Sequence, residues 1–248
     1  PMAGFSIPAA EHSTITSWGR EREGNAFANM IEQFSQDNHL YAVVSDSYDL
    51  FYAIDELWGK KLKQQVITSG GTLVVRPDSG DPKTTPILAI KKLMDHFGYH
   101  TNQKGYKVLP PYIRVIQGDG INRQSIQQIL ANMDEAQLAM DNIAFGMGGA
   151  LLQHSHRDTM KFAMKCSAAR INNQWIDVYK DPITDHGKIS KPGRLALVRE
   201  HDQYQTIRLE SLGDQCNQLR TVYENGHLMI DEPLSLIRER ANQNVGTY

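Results

Sequence analysis

Four segments of the chain share one pattern. Each is a short apolar, β-branched run that ends in Gly, Asp or Ser and is followed by apolar residues at helical spacing. Leu40 to Val44 read as a buried strand ended by Ser45-Asp46-Ser47. Leu50, Ile54, Leu57 and Trp58 then form a helical stripe, with Ser47 as its predicted N-cap. Leu73 to Val75 form the second strand and Arg76-Pro77-Asp78-Ser79-Gly80 the turn. The stripe Ile87, Ile90, Leu93 (or Met94) and Phe97 follows. Ile113 to Ile116 are the third strand and Gly118-Asp119-Gly120 its turn. Ile126, Ile129, Leu130 and Met133 are its stripe. Ile143 to Phe145 are the fourth strand, ended by Gly146-Met147-Gly148-Gly149. Upstream, Phe27, Met30, Ile31 and Phe34 predict one more amphipathic helix. The segment FSIPAAEHST before it reads as a short strand or loop ending in Glu11-His12-Ser13.

Strands alternating with helices of this length predict βαβ units and a parallel sheet. Alternation within the strands is weak, as burial of both faces requires. After about residue 160 the pattern changes. Phe162, Met164, Cys166 and Ala168 alternate, Asn172-Asn173 signals a turn, and Trp175 to Tyr179 read as a return strand. GRLALVRE and YQTIRLE predict two further strands, and TVYENGHLM a hairpin around Asn225-Gly226. DEPLSLIRER predicts a closing helix with Pro233 in its first turn. The predicted organisation is an α/β region over 1–160 that carries the site loops, then antiparallel strands and a terminal helix over 161–248.

Length at first suggests a whole (β/α) barrel, typically about 250 residues. The chain has 248, but the motifs supply only about four or five βα units. Lys plus Arg is 26 against 28 Asp plus Glu, which argues against a general nucleic-acid binder. No apolar run reaches the roughly 20 residues of a membrane helix, so no membrane association is expected. PMAGFSIPAA has no basic n-region and is not expected to be a signal peptide. Two cysteines, Cys166 and Cys216, are too few for a disulfide framework, and a cytoplasmic location is expected.

In parallel α/β folds the loops after the strands carry the site. Those ends hold Glu11-His12, Asp46, Arg76 and Asp78, Gly118-Asp119, and Gly148-Gly149. They converge on one rim if the strands are neighbours. Glycines admit a phosphate or sugar close to the backbone, and the following helix N-termini favour anions. Gly and Asp are also ordinary turn residues; recurrence in four consecutive loops is what favours a site. His12 is the one histidine at a candidate strand end. It could serve as general base, nucleophile or proton shuttle, with Asp46 and Asp78 to orient or charge it. The other histidines read as surface residues. Arg157, Lys165, Lys180, Lys188, Lys191 and Arg194 form a basic series, either a solvated face or a phosphate clamp. The P-loop pattern and H-E-x-x-H are absent, and no protein-held metal is expected.

The collinear segments AAEHSTITSWG, VVSDSYD, VVRPDSGDP, LPPYIRVIQGDGI, NIAFGMGGALLQ and the RD…KCS…YKDP…GRL run resemble the nicotinamide phosphoribosyltransferase family. The resemblance covers nearly the whole chain and corresponds to the C-terminal half of family members. It implies part of an irregular (β/α) barrel of the type II phosphoribosyltransferase kind, with antiparallel strands of a smaller domain that contributes to a dimer interface. It implies phosphoribosyl transfer from phosphoribosyl pyrophosphate to nicotinamide, giving nicotinamide mononucleotide and pyrophosphate. Mg2+ would accompany the pyrophosphate, and ATP hydrolysis would be coupled through a phosphohistidine. Carried over by motif, His12 resembles the phosphorylated histidine, with Glu11 and Asp46 the carboxylates beside it. Arg76 and Asp78 resemble the contacts to base and ribose, and Asp119, after Gly118, the one to the ribose hydroxyls. Gly148, Gly149 and Arg157 resemble the product-phosphate site. Lys165 and Lys180 resemble the pyrophosphate lysines, with Lys188 and Arg194 as further phosphate-binding candidates. The expected partners are the missing N-terminal half and a second subunit. Pro1 ahead of Met2 also suggests a piece of a longer protein. The alternatives are a nicotinate phosphoribosyltransferase, or a non-catalytic fragment acting as a binding module.

Overall fold

The computed structural model describes residues 7–36, 39–148, 163–201 and 203–243. The chain divides into two compact units, Pro1–Gly193 and Arg194–Tyr248. The division falls later than the expected boundary near residue 160. The cause lies in the segment after Val178, which is hydrogen bonded into the first unit: Asp181 N–H donates to Ser47 O at 2.9 Å and Ile183 N–H to Tyr48 O at 3.1 Å.

The first unit begins with β1 (Ala9–Ala10), α1 (His12–Thr16), a 3-10 turn at Arg20–Arg22, α2 (Glu23–Phe34) and β2 (Leu40–Val44). Next come α3 (Leu50–Tyr52), a π-helix at Ala53–Lys61, α4 (Lys63–Thr68), β3 (Thr72–Arg76) and α5 (Thr85–Phe97). A short hairpin of β4 (His100–Thr101) and β5 (Lys107–Val108) precedes β6 (Ile113–Gln117), α6 (Arg123–Glu135) and β7 (Ile143–Phe145). The order in the sheet is β1-β2-β3-β6-β7, with every neighbouring pair parallel. All strand C-termini therefore lie along one edge. Val44 is in register with Arg76, and Gln117 with Phe145.

Tyr41, Val43 and Val44 of β2 and Leu73, Val74 and Val75 of β3 are buried on both faces of the sheet. That accounts for their unbroken apolar runs. The predicted stripes meet these faces: Leu50, Ile54, Leu57 and Trp58 are buried, as are Ile87, Ile90, Leu93, Met94 and Phe97. Phe27 of α2 stacks on Trp58 at 4.4 Å. Phe34, at the end of its stripe, is exposed.

Two local expectations change. Asp49, not Ser47, caps α3, its Oδ1 accepting from Phe51 and Tyr52 N–H at 3.0 Å each. The stripe after β2 lies mostly on a π-helix. There Gly59 faces the His96 ring so closely that a Cβ would sit 2.4 Å from its Cγ. His96 is accordingly half-buried and bonds Asp55 at 2.9 Å, rather than standing free on the surface.

The first unit also holds the hairpin β8 (Ala168–Ile171) and β9 (Gln174–Asp177). Asn172 and Asn173 both take positive φ at its turn, the geometry of a two-residue hairpin loop. The strand begins at Ala168, the last residue of the alternating stretch expected to form it, whose first residue, Phe162, lies outside the described residues. In the second unit, β10 (Leu195–Glu200) pairs antiparallel with β11 (Gln203–Arg208), and β12 (Tyr223–Glu224) with β13 (His227–Leu228). Helix α7 (Leu234–Gln243) follows, with Pro233 just before its first residue. Among the described residues no helix is long and apolar enough to cross a membrane.

Candidate active site

The rim at the strand C-termini collects Glu11, His12, Asp46, Arg76, Asp78 and Asp119. Helix α1 starts directly after β1, so His12, its first residue, stands at the end of the sheet beside the loop after β2. The ring is held on both nitrogens. Nδ1 lies 3.1 Å from Ser47 Oγ. Nε2 lies 3.2 Å from Asp78 Oδ2, 3.0 Å from Lys180 Nζ and 3.6 Å from Asp46 Oδ1.

These contacts define two states of the ring. With Nε2 unprotonated it accepts from the Lys180 ammonium. With Nε2 protonated it donates to Asp78, with the Asp46 carboxylate close behind. The ring thus sits between one cation and two carboxylates.

Asp46 is 1% exposed. Its Oδ2 accepts from Asp78 N–H at 3.0 Å and from the Ser79 hydroxyl. Its Oδ1 is buried without a hydrogen-bond partner and faces His12. Burial works against the Asp78 carboxylate, but the His12 hydrogen bond and the Arg76 and Lys180 cations outweigh it and hold the group at about 2. Lys180 is 4% exposed. Burial pushes its ammonium down, Asp46 and Asp78 resist, and Lys165 and Lys188 add to the fall.

Two ion pairs flank the histidine. Arg76, the last residue of β3, meets Glu11 with both terminal nitrogens, at 2.8 and 2.7 Å. This fork raises the arginine and lowers the glutamate. Lys188 Nζ donates to Asp119 Oδ2 and to the Asp78 carbonyl, each at 2.8 Å. Asp119 is in turn placed by Gln117, whose buried amide donates to Asp119 O at 2.9 Å. Behind Asp46 lies Glu23, 4% exposed, with Oε1 buried and unpartnered. Burial raises it to about 8; Arg20 opposes the rise, and the Asp46 and Asp49 carboxylates reinforce it.

Glu11, His12, Asp46, Arg76, Asp78, Asp119, Lys180 and Lys188 are thus joined in one network of hydrogen bonds and ion pairs. Gly118 follows β6 on the same rim, and Gly148 lies exposed in the loop after β7; both have open space where a Cβ would stand. Lys165 is exposed, and its charge is felt by Lys180. Arg194 falls in the second unit, where it faces Glu210 at 3.8 Å. Gly149 and Arg157 lie outside the described residues. Sequence reasoning missed three participants: Ser47, read as a cap, and Ser79 and Thr184. The repeated Ser-Asp pairing in VVSDSYD and RPDSG was the available signal for the two serines; Thr184 had none.

Compared with known proteins, residues 1–227 match the nicotinate phosphoribosyltransferase (NAPRTase) family model. The chain is 54% identical to a nicotinamide phosphoribosyltransferase of Xanthomonas campestris pv. campestris, over 98% of this chain and 53% of the relative. It is 38% identical to one of Mycoplasma pneumoniae, over 78% of this chain and 45% of the relative. With one of Acinetobacter baylyi the identity is 31%, over 100% of this chain and 53% of the relative. The chain spans about half the length of the curated relatives it matches.

Proposed function

The chain belongs to the nicotinate phosphoribosyltransferase family, and from that premise we propose that it carries the histidine and phosphate side of a nicotinamide phosphoribosyltransferase active site. The reaction joins nicotinamide to phosphoribosyl pyrophosphate and releases nicotinamide mononucleotide and pyrophosphate. The family and its parallel α/β sheet fit the type II phosphoribosyltransferase fold. The observation that carries the reading is the clamp on His12, with two carboxylates and a buried lysine at one nitrogen and a hydroxyl at the other. A merely structural histidine has no need of so many opposed charges.

Glycosyl transfer builds positive charge on the ribose and negative charge on the leaving pyrophosphate, and fixed charges aimed at each lower the barrier. Asp78 and Asp119 supply the carboxylates for the ribose side. Lys180 and Lys188 supply cations for the phosphates. Arg76, its fork engaged by Glu11, offers the guanidinium plane to the base and ribose. Gly148 and Gly149, with Arg157, take the product phosphate. Lys165 stands with Lys180 for the pyrophosphate. Asp78 and Asp119 already engage cations in the protein, which suits ribose hydroxyls better than a metal cage. Mg2+ therefore travels with the pyrophosphate and neutralises part of its charge.

ATP hydrolysis is coupled through His12. The ring takes the γ-phosphoryl group as its bond to ADP breaks, and the adjacent carboxylates stabilise the charge the imidazole gains. The portion of the longer relatives that has no counterpart here, with a second subunit, supplies the nicotinamide-stacking and amide-reading groups. Nicotinamide is favoured over nicotinate because the curated relatives named above are nicotinamide enzymes.

Two measurements test this. Phosphate from γ-labelled ATP should be retained by the chain and lost in His12→Ala. Nicotinamide mononucleotide should form when the chain is combined with the remaining portion of the enzyme, and nicotinate should compete poorly. Label retained after His12→Ala, or no product from the combined protein, would refute the proposal.

A further inference from the structure

Asp46 has two different carboxylate oxygens. Oδ2 is fixed by the turn after β3, through Asp78 N–H at 3.0 Å and the Ser79 hydroxyl. Oδ1 takes no hydrogen bond and lies 3.6 Å from His12 Nε2. The grip on Oδ2 therefore determines where Oδ1 points.

Ser79 also contacts the Thr184 hydroxyl. A hydroxyl has one proton to give, and a carboxylate only accepts. The Ser79 proton is used on Asp46, so the proton between Ser79 and Thr184 must come from Thr184. The order Thr184 to Ser79 to Asp46 is fixed by this chemistry. Ser79 is 3% exposed, so water is no easy substitute for the threonine donor. Donors in series polarise one another, which strengthens the bond to the carboxylate.

Thr184 sits midway along the segment that bears Lys180 and Lys188. That segment is seated by backbone bonds from Asp181 to Ser47 and from Ile183 to Tyr48. Beneath the threonine is Gly80, where a Cβ would approach Thr184 Cβ to 3.3 Å. A side chain there would press first on Thr85 Oγ1, at 2.6 Å, and then on Thr184, so the glycine leaves room for the threonine. We infer that Thr184 is a positioning residue: acting through Ser79, its hydroxyl aims the Asp46 carboxylate at His12 and couples the seating of the Lys180–Lys188 segment to the charge beside the ring. The inference rests on His12 as the reacting group, but its test is read without turnover.

The readout is the titration of the His12 ring, followed by NMR in the 248-residue chain. The groups that face the ring are Asp46, Asp78, Lys180 and Ser47, with Glu11 on the preceding residue. Asp46→Asn should lower the His12 midpoint by about one pH unit or more, the usual effect of removing an opposite charge at this distance. Thr184→Val, close in shape but without the hydroxyl, should shrink that drop to about half or less. Thr184→Ser keeps the hydroxyl and should restore it. In a Ser79→Ala background, Thr184→Val should change nothing further. If Thr184→Val proves unfolded by its amide spectrum, Ser79→Ala alone must shrink the drop. A full-sized drop in Thr184→Val, a serine variant that behaves like valine, or no drop from Asp46→Asn overturns the inference. If the coupling is found while His12 takes no label from ATP, the fault lies with the functional reading and not with the relay.

Discussion

Glu23→Gln should make the protein more stable at alkaline pH and leave it nearly unchanged in mild acid. The side chain is 4% exposed and one carboxyl oxygen has no partner. The group titrates at about 8 in the fold, against an ordinary 4.5. Between those values the folded protein keeps a proton that the unfolded chain has released. Stability therefore falls as pH rises across that window and is level on either side. The displacement of about 3.5 pH units corresponds to about 5 kcal/mol at about 1.4 kcal/mol per pH unit. Relaxation around the ionised group lowers what is measured, so a gain of about 2–5 kcal/mol is expected at pH 9. Glutamine keeps the shape and removes the titration. The assay is urea unfolding of both proteins at pH 5, 7 and 9. The buried Tyr41 is common to both and cancels in the difference; Tyr48, raised by burial and further by the Glu23 charge, stays protonated in the fold over this range. Parallel stability curves for the two proteins from pH 5 to 9 would refute the account of Glu23 as a buried neutral acid.

Asp78 should behave in the opposite sense. Its carboxyl titrates at about 2 in the fold against an ordinary 3.8, so its stabilisation, about 2 kcal/mol, is present above about pH 4 and lost as pH falls through about 2. The stability gap between the parent and Asp78→Asn should therefore close on acidification, as urea titrations at pH 2, 3 and 6 would show. Gly59→Ala should cost about 1–3 kcal/mol, because its methyl would meet the His96 ring; a thermal melt reads this directly. Arg76→Lys keeps the charge but loses the fork to Glu11. In the combined enzyme it should raise KM for the ribose substrate by about tenfold, or about 1.4 kcal/mol, because the planar group that Glu11 orients for the substrate is gone, while the thermal midpoint moves little.

The sheet was legible because its strands are short and mostly buried on both faces: Tyr41–Val44 and Leu73–Val75 are unbroken apolar runs, while Leu40, read as part of the buried strand, is exposed at its start. The rim followed from the strands, since parallel neighbours must end on one side. The π-helix was not legible, because Leu50, Ile54, Leu57 and Trp58 satisfy α-helical spacing equally well, and the wider bonding, seen where Leu62 N–H donates to Leu57 O, leaves no mark in the apolar pattern. Ser47 was misread for a related reason. A serine ahead of an apolar stripe is a good cap, but Asp49 stands two residues nearer the helix and Ser47 has a histidine to bind. Arg194 was grouped with Lys180 and Lys188 by charge and by resemblance, and neither says which compact unit a residue joins. Lys180 had been placed with the phosphates; its contact with His12 depends on the segment after Val178 returning to the sheet, which no local pattern records.

The contact between His12 and Lys180 joins residues 168 positions apart. One partner is made near the start of this chain and the other well past its middle, so synthesis cannot complete the site until the stretch through Lys188 has emerged. Until then the growing chain has strands β1 to β3 and their carboxylates, but no ammonium beside the ring. Long-range closures of this kind form late. The histidine is therefore translated long before the lysine and is among the last residues of the site to receive its full complement of charge, so a chain interrupted between the two leaves carboxylates around a ring without the Lys180 ammonium.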